Sequence, residues 1–295
     1  MALPRGLEWW RDQPGGADWL GRLPRLASEC AEEWSLRLDA PFEPATISLV
    51  VPARLPDGSA AVLKLSFPEP ESAEEPDALA AWDGRGAVRL LARDKTRSGL
   101  LVEWCFPGTP LRDEPDDERA NDIATGVLRR LWREPVSDHR FRLLADVAAE
   151  WEQSIPADWD RLGRPFERSL VERALAALRT LRSSQPEAVI LHQDFHAGNV
   201  LAAEREPWLA IDPKPLVGER AFDVASLLRD RRRDLDRDPR PVRTIARRLD
   251  QLAETLELDR ERMRGWGIVH ALAWGLGDRV LEDLVSCARW LAAAR

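Results

Sequence analysis

The sequence predicts an α+β fold in which a small, mainly antiparallel β lobe with one helix precedes a larger helical lobe. Two runs rich in aliphatic residues, residues 47–53 and 60–66, flank a Leu-Pro-Asp-Gly turn, a pattern typical of a β-hairpin. After the Phe-Pro-Gly sequence at residues 106–108, apolar residues recur at the period of helices. We therefore predict an N-terminal lobe over residues 1–103 and a C-terminal lobe over residues 104–295.

The other elements of the N-terminal lobe are predicted from the same two periodicities. Residues 72–82 predict a helix, because Ser72 and Glu75 fit a capping box at its start. Three short strands and one segment with a helical pattern complete this lobe. The strands are predicted at residues 34–38, 88–91 and 99–104, and the helical pattern at residues 23–33.

The C-terminal lobe is predicted to be helical apart from a β-loop-β segment at residues 188–211. Its helices are predicted at residues 119–132, 140–152, 166–181, 221–229, 242–256, 260–274 and 281–294. Because no long linker separates the two lobes, we expect them to pack together with a cleft between them.

Composition restricts the class of function. The formal net charge is −8, from 43 basic and 51 acidic residues, which argues against nucleic acid or a membrane surface as the partner and suits a cationic small molecule. The longest uncharged apolar stretch, residues 265–277, is too short to span a bilayer. Three widely spaced cysteines fit neither a disulfide framework nor a zinc site. We expect a cytoplasmic protein that is a monomer or a homodimer.

The most informative stretch is His-Gln-Asp-Phe-His-Ala-Gly-Asn at residues 192–199, which follows an apolar run. Asp194 and Asn199 have the Asp-to-Asn spacing of kinase catalytic loops. Such a loop presents a carboxylate to the acceptor hydroxyl and an amide oxygen to Mg²⁺. Asp212, at the end of the next apolar run, would supply a second, anionic oxygen ligand for the metal.

A metal-dependent hydrolase is an alternative interpretation of the same stretch. His192, Asp194 and His196 alternate in the way that metal ligands can. The chain has four histidines, so His139 and His270 would have to complete such a site.

Residues 191–200, Leu-His-Gln-Asp-Phe-His-Ala-Gly-Asn-Val, and residues 210–215, Ala-Ile-Asp-Pro-Lys-Pro, resemble the aminoglycoside phosphotransferase superfamily. Residues 211–218 and 82–91 are similar to its streptomycin 6-phosphotransferase and hydroxyurea phosphotransferase group. The resemblance covers residues 50–228 and implies a two-lobed protein-kinase-like fold that uses ATP and Mg²⁺. It implies phosphorylation of a hydroxyl of a streptomycin-like aminoglycoside, or of a related amino sugar or polyol.

The resemblance assigns nucleotide binding to the N-terminal lobe. The sequence Ala-Val-Leu-Lys at residues 61–64 resembles the kinase strand that carries the phosphate-binding lysine, here Lys64. Val62 lies on the same strand face and would cover the adenine. Glu75 on the following helix is the expected partner of Lys64, with Glu74 as the next candidate.

Two further segments of this lobe bear on the nucleotide. The backbone at Glu103 and Cys105 is expected to bind adenine at the hinge between the lobes. Kinases place a glycine-rich loop over the phosphates, but residues 40–48 contain two prolines and no glycine. Either Thr46, Ser48 and nearby amides contact the phosphates, or the nucleotide is bound weakly. The second case leaves a non-catalytic nucleotide- or ligand-binding relative as an alternative.

Four further residues complete the predicted site. The resemblance implies that Asp223 supports the catalytic loop, and His192 is expected to bond backbone near the metal ligands. Trp274 and Asp278 are candidates for the acceptor side, because an indole can stack on a guanidinium group and a carboxylate can pair with a cation.

Overall fold

The computed structural model describes residues 1–43, 45–69 and 73–294. Ser72 of the predicted capping box and Pro44 of the predicted phosphate loop lie outside these residues. The chain divides into two compact units. Unit 1 is Met1–Gly108 with Ala202–Leu209, and unit 2 is Thr109–Leu201 with Ala210–Arg295. No helix within the described residues is long and apolar enough to cross a membrane.

Unit 1 is built on a five-stranded antiparallel sheet with the strand order β1-β2-β3-β5-β4. The strands are β1 (Arg37–Leu38), β2 (Ser48–Arg54), β3 (Ala60–Ser66), β4 (Leu90–Asp94) and β5 (Gly99–Glu103). The hairpin of β2 and β3 joins at the predicted Leu-Pro-Asp-Gly turn. The antiparallel N-terminal sheet predicted from the sequence is confirmed.

Alternation along β2 and β3 divides their side chains between two faces of the sheet. Leu49, Val51, Leu63 and Leu65 are fully buried in one core cluster. The opposite face carries Lys64, because its register partner on β2 is Val50 and its neighbours on β3 are core residues. Alternate residues of these strands therefore point either into the core of unit 1 or to the face that carries Lys64.

Within the described residues of unit 1, three helices accompany the sheet: a 3-10 helix (Arg5–Asp12), α1 (Gly16–Glu33) and α2 (Glu75–Trp82). The sequence pattern predicted only residues 23–33 of α1, and Pro24, which lacks a backbone donor, lies near the start of that stretch. In the structure, α1 begins earlier and contains Pro24. Trp19, Leu20 and Leu23 are buried in the same core cluster as the sheet, and this packing outweighs the lost hydrogen bond.

Unit 2 is mostly helical, as the sequence predicts. Its helices are α3 (Asp117–Leu131), α4 (Leu144–Arg161), α5 (Arg168–Ser183), α6 (Arg220–Leu228), α7 (Arg232–Arg237), α8 (Pro241–Leu256), α9 (Arg260–Gly275) and α10 (Glu282–Ala293). A further 3-10 helix covers Leu111–Asp113. Helix α4 continues through Pro156, beyond the predicted end at residue 152, and buries Ile155 and Trp159. Tertiary packing again overrides a local helix-breaking signal.

Five short strands position the predicted catalytic loop. They are β6 (Arg142–Leu143), β7 (Val189–Leu191), β8 (Val200–Ala202), β9 (Trp208–Ala210) and β10 (Leu216–Gly218). Strands β6, β10 and β7 form one small sheet, and β8 pairs with β9. The loop at residues 192–199 therefore starts at the end of β7 and ends where β8 begins. Asp212 follows β9, and helix α6, which is buried from Ala221 to Leu228, follows β10.

Candidate active site

The predicted catalytic loop, residues 192–199, is a series of tight turns. Asp194 N donates to His192 O at 2.8 Å, and His196 N donates to Asp194 O at 3.0 Å. Gln193 adopts a positive φ of 65°, a conformation that is rare for a residue with a side chain. These turns leave the Asp194 side chain 17% exposed between buried neighbours. Strained backbone of this kind is common where a side chain is positioned for chemistry.

Asp223 on α6 lies beneath this loop and is fully buried. Its Oδ1 accepts a hydrogen bond from Gln193 N at 2.7 Å, and its Oδ2 accepts from His192 N and from Trp132 Nε1, both at 3.0 Å. Burial raises the pKa of Asp223 to about 6, while these hydrogen bonds oppose the change. At neutral pH the carboxylate is therefore mainly ionised. The three bonds give its predicted supporting role a physical basis.

His192 connects the catalytic loop to the segment that carries Asp212. Its ring Nε2 lies 2.9 Å from Ile211 O, and its backbone oxygen accepts from Lys214 N at 3.0 Å. A third bond, from Ile211 N to Asn199 O at 2.9 Å, joins the two segments at the other end of the loop. Burial lowers the pKa of His192 to about 4, so the ring is neutral at pH 7. Residues on both sides of Asp212 are thus tied to the loop of Asp194 and Asn199.

The predicted metal ligands have the chemistry that Mg²⁺ prefers. Asn199 Nδ2 donates to Asp194 O at 3.0 Å, which uses the nitrogen of the amide and leaves its oxygen as the group able to bind a cation. Asp212 is exposed and has a positive φ of 57°. One amide oxygen and one carboxylate on two joined segments fit a hard cation. These residues therefore fit the metal that the sequence motif implies.

The histidines of the alternative hydrolase site are engaged in other contacts. His192 Nε2 bonds a backbone carbonyl, and His196 Nδ1 accepts from Gly198 N at 3.0 Å. His270 is fully buried on α9 and packs against aromatic rings. Over residues 1–43, 45–69 and 73–294, no group of three or more His, Cys, Asp or Glu side chains is arranged to hold a metal.

Lys64 and Glu75 form a buried ion pair within unit 1. Lys64 Nζ lies 2.8 Å from Glu75 Oε1 and 2.7 Å from Oε2. The two residues are 8% and 3% exposed. Glu75 is the first residue of α2, and it is this carboxylate that contacts the lysine. A buried pair of this kind fixes the ammonium group in one place on the sheet.

The other predicted nucleotide residues of unit 1 lie near this pair in the sheet. Val62 is partly buried and shares the face of Lys64. Ser48 Oγ lies 2.9 Å from Ser66 Oγ, so the Ser48 hydroxyl already has a hydrogen-bond partner inside the sheet. The adenine-covering role of Val62 and the phosphate-binding role of Ser48 stay predictions.

Glu103 is the last residue of β5, and Cys105 lies two residues after it. The Glu103 carboxylate accepts from Arg205 Nε and Nη2 at 2.7 and 2.8 Å and from Arg89 N at 3.0 Å. Burial raises the pKa of Glu103, but the hydrogen bonds from Arg205 and Arg89 lower it below its usual range. Burial raises the pKa of Cys105 to about 12, so its thiol is neutral. The Glu103 side chain thus bonds other residues of unit 1, and the Cys105 side chain is buried. Adenine binding by the backbone of these residues stays a prediction.

A comparison with known protein families gives the functional context of this site. The model of the aminoglycoside/hydroxyurea antibiotic resistance kinase family matches residues 33–277. The chain belongs to this family. The kinase is 37% identical over 284 residues to streptomycin 6-kinase of Streptomyces griseus, covering 95% of this chain and 91% of that protein. It is 38% identical over 268 residues to hydroxyurea phosphotransferase of Kitasatospora aureofaciens, covering 89% of this chain and 76% of the relative.

Solved structures with the same fold are more distant in sequence. The aminoglycoside phosphotransferase APH(4)-Ia, in a ternary complex with ADP and hygromycin B, superposes with a TM-score of 0.61 at 15% identity over 90% of this chain and 96% of that one. Choline kinase LicA from Streptococcus pneumoniae superposes with a TM-score of 0.62 at 12% identity over 91% and 99% of the two chains. The kinase-like fold predicted from the sequence is confirmed.

Membership of the family also decides among the three functions that the sequence left open. The chain is a phosphotransferase with an alcohol group as acceptor, so the hydrolase and the non-catalytic alternatives are set aside. The glycine-free loop that favoured a non-catalytic relative therefore requires a structural explanation within a kinase.

Two tryptophans of the first 3-10 helix support this loop, and the sequence analysis did not identify them. Trp9 Nε1 donates to Thr46 O at 2.5 Å, and Trp10 Nε1 donates to Ile47 O at 3.0 Å. Trp9 and Trp10 stack on each other with ring centroids 4.3 Å apart. The loop before β2 is thus held by indole donors from a distant part of the chain.

Gly6 allows this helix to approach the loop. A Cβ atom at Gly6 would lie 2.3 Å from Ala45 O, which no side chain could occupy. No local pattern could have identified these contacts, because the partners are separated by 37 residues.

The predicted acceptor residues of unit 2 differ in their surroundings. The Trp274 ring has Lys214 Nζ at 4.8 Å and the Arg229 guanidinium carbon at 4.7 Å from its centroid. Asp278 is exposed in the loop after α9. The indole ring is therefore in contact with two cationic side chains of the protein itself. Roles for Trp274 and Asp278 in acceptor binding stay predictions.

Proposed function

We propose that this kinase transfers the γ-phosphoryl group of ATP to a hydroxyl of a streptomycin-like aminoglycoside. The observation that carries the proposal is the similarity to two streptomycin 6-kinases, at 37% and 39% identity over 95% and 91% of this chain. Similarity that extends over almost the whole chain includes the acceptor-binding parts as well as the catalytic motif. The formal net charge of −8 is consistent with a cationic acceptor.

Asp194 is the proposed catalytic carboxylate. It accepts a hydrogen bond from the acceptor hydroxyl and so directs that oxygen at the γ-phosphorus. As the new O–P bond forms, the bond from the γ-phosphorus to the β–γ bridging oxygen breaks, and ADP leaves with that electron pair. The hydroxyl proton passes to the Asp194 carboxylate and from there to solvent. The tight turns around Asp194 hold the carboxylate ready before the substrates bind.

The nucleotide roles are assigned to the residues that the sequence motifs identify. Lys64, fixed by Glu75, would bind phosphate oxygens of ATP, and Asn199 and Asp212 would hold Mg²⁺. When bound, this ion neutralises part of the phosphate charge. The backbone amides near Thr46 and Ser48 take the place of a glycine-rich loop, because the indole bonds at Thr46 and Ile47 keep that segment in one conformation.

An ATP-consumption assay with a panel of acceptors tests the proposal. The panel contains streptomycin, other aminocyclitols, amino sugars and hydroxyurea, each with and without Mg²⁺. We expect ADP release that depends on Mg²⁺ and on streptomycin, with a phosphorylated product detected by mass spectrometry. Hydroxyurea is the second candidate, because a hydroxyurea phosphotransferase is 38% identical to this chain. If hydroxyurea is the one compound of the panel that is phosphorylated, the acceptor is hydroxyurea and not an aminoglycoside.

Substitution of Asp194 tests the proposed catalytic group in the same assay. Asp194→Ala should keep nucleotide binding and lose at least about 10²-fold in turnover, since positioned acid–base groups typically contribute that much. Asp158→Ala, at an exposed ion pair on α4, is the control and should keep its activity. Near-native turnover of Asp194→Ala would remove Asp194 from this role.

A further inference from the structure

Arg229, the residue after α6, is a buried cation with few hydrogen bonds. Its Nη2 donates one long bond to Ser226 Oγ at 3.3 Å, and its Nε has no hydrogen-bond partner among the residues that the structure describes. The residue is 7% exposed, and burial lowers the pKa of the guanidinium group. Because a buried charge is costly, it normally has a full set of partners.

Arg248 on α8 shows how unit 2 accommodates a buried guanidinium for structural reasons. It is 3% exposed and donates to both carboxylate oxygens of Asp117 at 2.7 and 3.0 Å. It also donates to the carbonyl oxygens of Asp230 and Leu228. These bonds explain the burial of Arg248. Arg229 has no comparable set, so packing of unit 2 does not account for its charge.

The anion nearest to Arg229 is the proposed catalytic carboxylate. Arg229 Nη2 lies 3.5 Å from Asp194 Oδ1. The guanidinium carbon lies 4.7 Å from the centroid of the Trp274 ring, and His270 stacks on that ring with centroids 4.6 Å apart. The indole therefore packs between the fully buried His270 ring and the guanidinium group, which it supports by a cation–π contact.

This placement has an electrostatic consequence for phosphoryl transfer. The γ-phosphoryl group brings negative charge close to Asp194, and like charges repel. A cation that is already fixed beside the carboxylate offsets this repulsion and holds Oδ1 in one orientation. Because Arg229 is preorganised by Trp274, no reorganisation is needed when ATP binds.

We propose that Arg229 is a positioning residue that holds the Asp194 carboxylate during phosphoryl transfer, with Trp274 as its support. The proposal rests on the role of Asp194 in the proposed function. It does not depend on which hydroxyl compound is the acceptor. It also gives Trp274 a role in orienting a cation of the chain.

Three variants test the proposal by steady-state kinetics and thermal unfolding. Arg229→Met keeps most of the side-chain volume but removes the charge, and we expect kcat to fall at least about tenfold because a fixed charge beside a reacting group is lost. The KM values for ATP and acceptor should stay within about threefold, since Arg229 binds neither substrate. Arg229→Lys should recover part of the lost kcat, because it restores the charge without the planar guanidinium group.

Arg248→Met is the matched control, because it removes a guanidinium group of similar burial from the same unit. It should lower the unfolding temperature more than Arg229→Met does and leave kcat nearly unchanged once the enzyme is assayed below its transition. If Arg229 had only a structural role, Arg229→Met would likewise lower the unfolding temperature and leave kcat nearly unchanged. We therefore expect Arg248→Met to affect mainly stability and Arg229→Met to affect mainly kcat.

Three outcomes would overturn the proposal. One is a folded Arg229→Met enzyme with kcat within a factor of two of wild type. Another is a parallel rise in a KM value that accounts for the loss, which would make Arg229 a substrate-binding residue. The third is loss of the folding transition in both Arg229→Met and Arg229→Lys, which would make its role structural.

Failure of the proposed function would look different from each of these outcomes. Every comparison is a ratio of variant to wild type on one acceptor that the wild-type enzyme phosphorylates. An error in the acceptor class therefore appears in the wild-type panel, and an error about Arg229 appears only in the variants.

Discussion

The loop at residues 45–47 and the catalytic loop at residues 192–199 are both irregular backbone held by distant side chains, but the bonds run in opposite directions. In the first loop, carbonyl oxygens accept from the indoles of Trp9 and Trp10. In the second, backbone N–H groups donate to the carboxylate of Asp223. The first support is neutral and includes an exposed residue, and the second is charged and fully buried.

This difference shows how each loop is suited to its proposed task. A carboxylate that collects several N–H donors fixes the backbone firmly, because any donor left without it would be buried and unsatisfied. The Trp9 indole is exposed, so water can replace its bond, and the buried Trp10 indole adds a single neutral bond. The loop that carries the proposed catalytic residue thus has the stronger support, and the loop proposed for phosphate binding has the weaker one.

The largest expected effect comes from removing the buried carboxylate. Asp223→Ala leaves Gln193 N, His192 N and Trp132 Nε1 without their acceptor, and should lower the free energy of unfolding by about 3–5 kcal/mol. Denaturant unfolding followed by tryptophan fluorescence measures this loss. Asp138→Ala, at an exposed carboxylate, is the control and should cost less than about 1 kcal/mol. Equal losses in the two variants would contradict the comparison.

A smaller effect is expected from the indole donors. Trp10→Phe removes the donor to Ile47 O and makes a buried ring smaller, so it should cost about 1–3 kcal/mol and raise the KM for ATP about threefold or more. The KM for the acceptor should not change.

The matched control for this variant is Trp34→Phe. Trp34 is a partly buried tryptophan of unit 1 whose indole nitrogen makes no hydrogen bond among the described residues. A rise in the acceptor KM in place of the ATP KM would separate the loop at residues 45–47 from nucleotide binding.

The smallest effect concerns pH. His270 is fully buried, neither of its ring nitrogens has a hydrogen-bond partner in the described part of the chain, and burial lowers its pKa well below 6.5 with Arg229 and Lys214 adding to the change. A histidine that is neutral in the folded state contributes stability that is present above the unfolded pKa and is lost as pH falls below about 6.5. His192 acts in the same direction between about 6.5 and 4. Asp223, with its pKa raised to about 6, opposes them.

We therefore expect the free energy of unfolding to fall between pH 7 and pH 5. His270→Leu should reduce that fall, because an apolar residue at this site has no proton to bind. Hydrogen exchange at both pH values should show protection decreasing around residues 192–199 more than around residues 45–47. An acid response that is equal in the two loops would show that His192, which lies in the second loop, does not cause the loss.

Local patterns were sufficient for most of the strands and for the candidate catalytic residues. Strand β3 was predicted at its observed bounds, because two-residue alternation between a Gly-containing turn and a polar segment leaves few alternatives. Asp194, Asn199 and Asp212 were recognised because a kinase loop needs those residue types at a nearly fixed spacing. Helix ends were less accurate where Pro24 and Pro156 lie inside helices, since burial of neighbouring apolar residues outweighs a missing hydrogen bond.

The sequence by itself determined the fold class, the order of most elements and the groups that we propose for phosphoryl transfer, because periodicity and motif spacing are properties of neighbouring residues. Only the tertiary structure decided which distant groups support them. The indole bonds of Trp9 and Trp10, and the position of Arg229 beside Asp194, join residues separated by more than thirty positions. Such contacts depend on how whole helices and strands pack, and no local pattern encodes their partners.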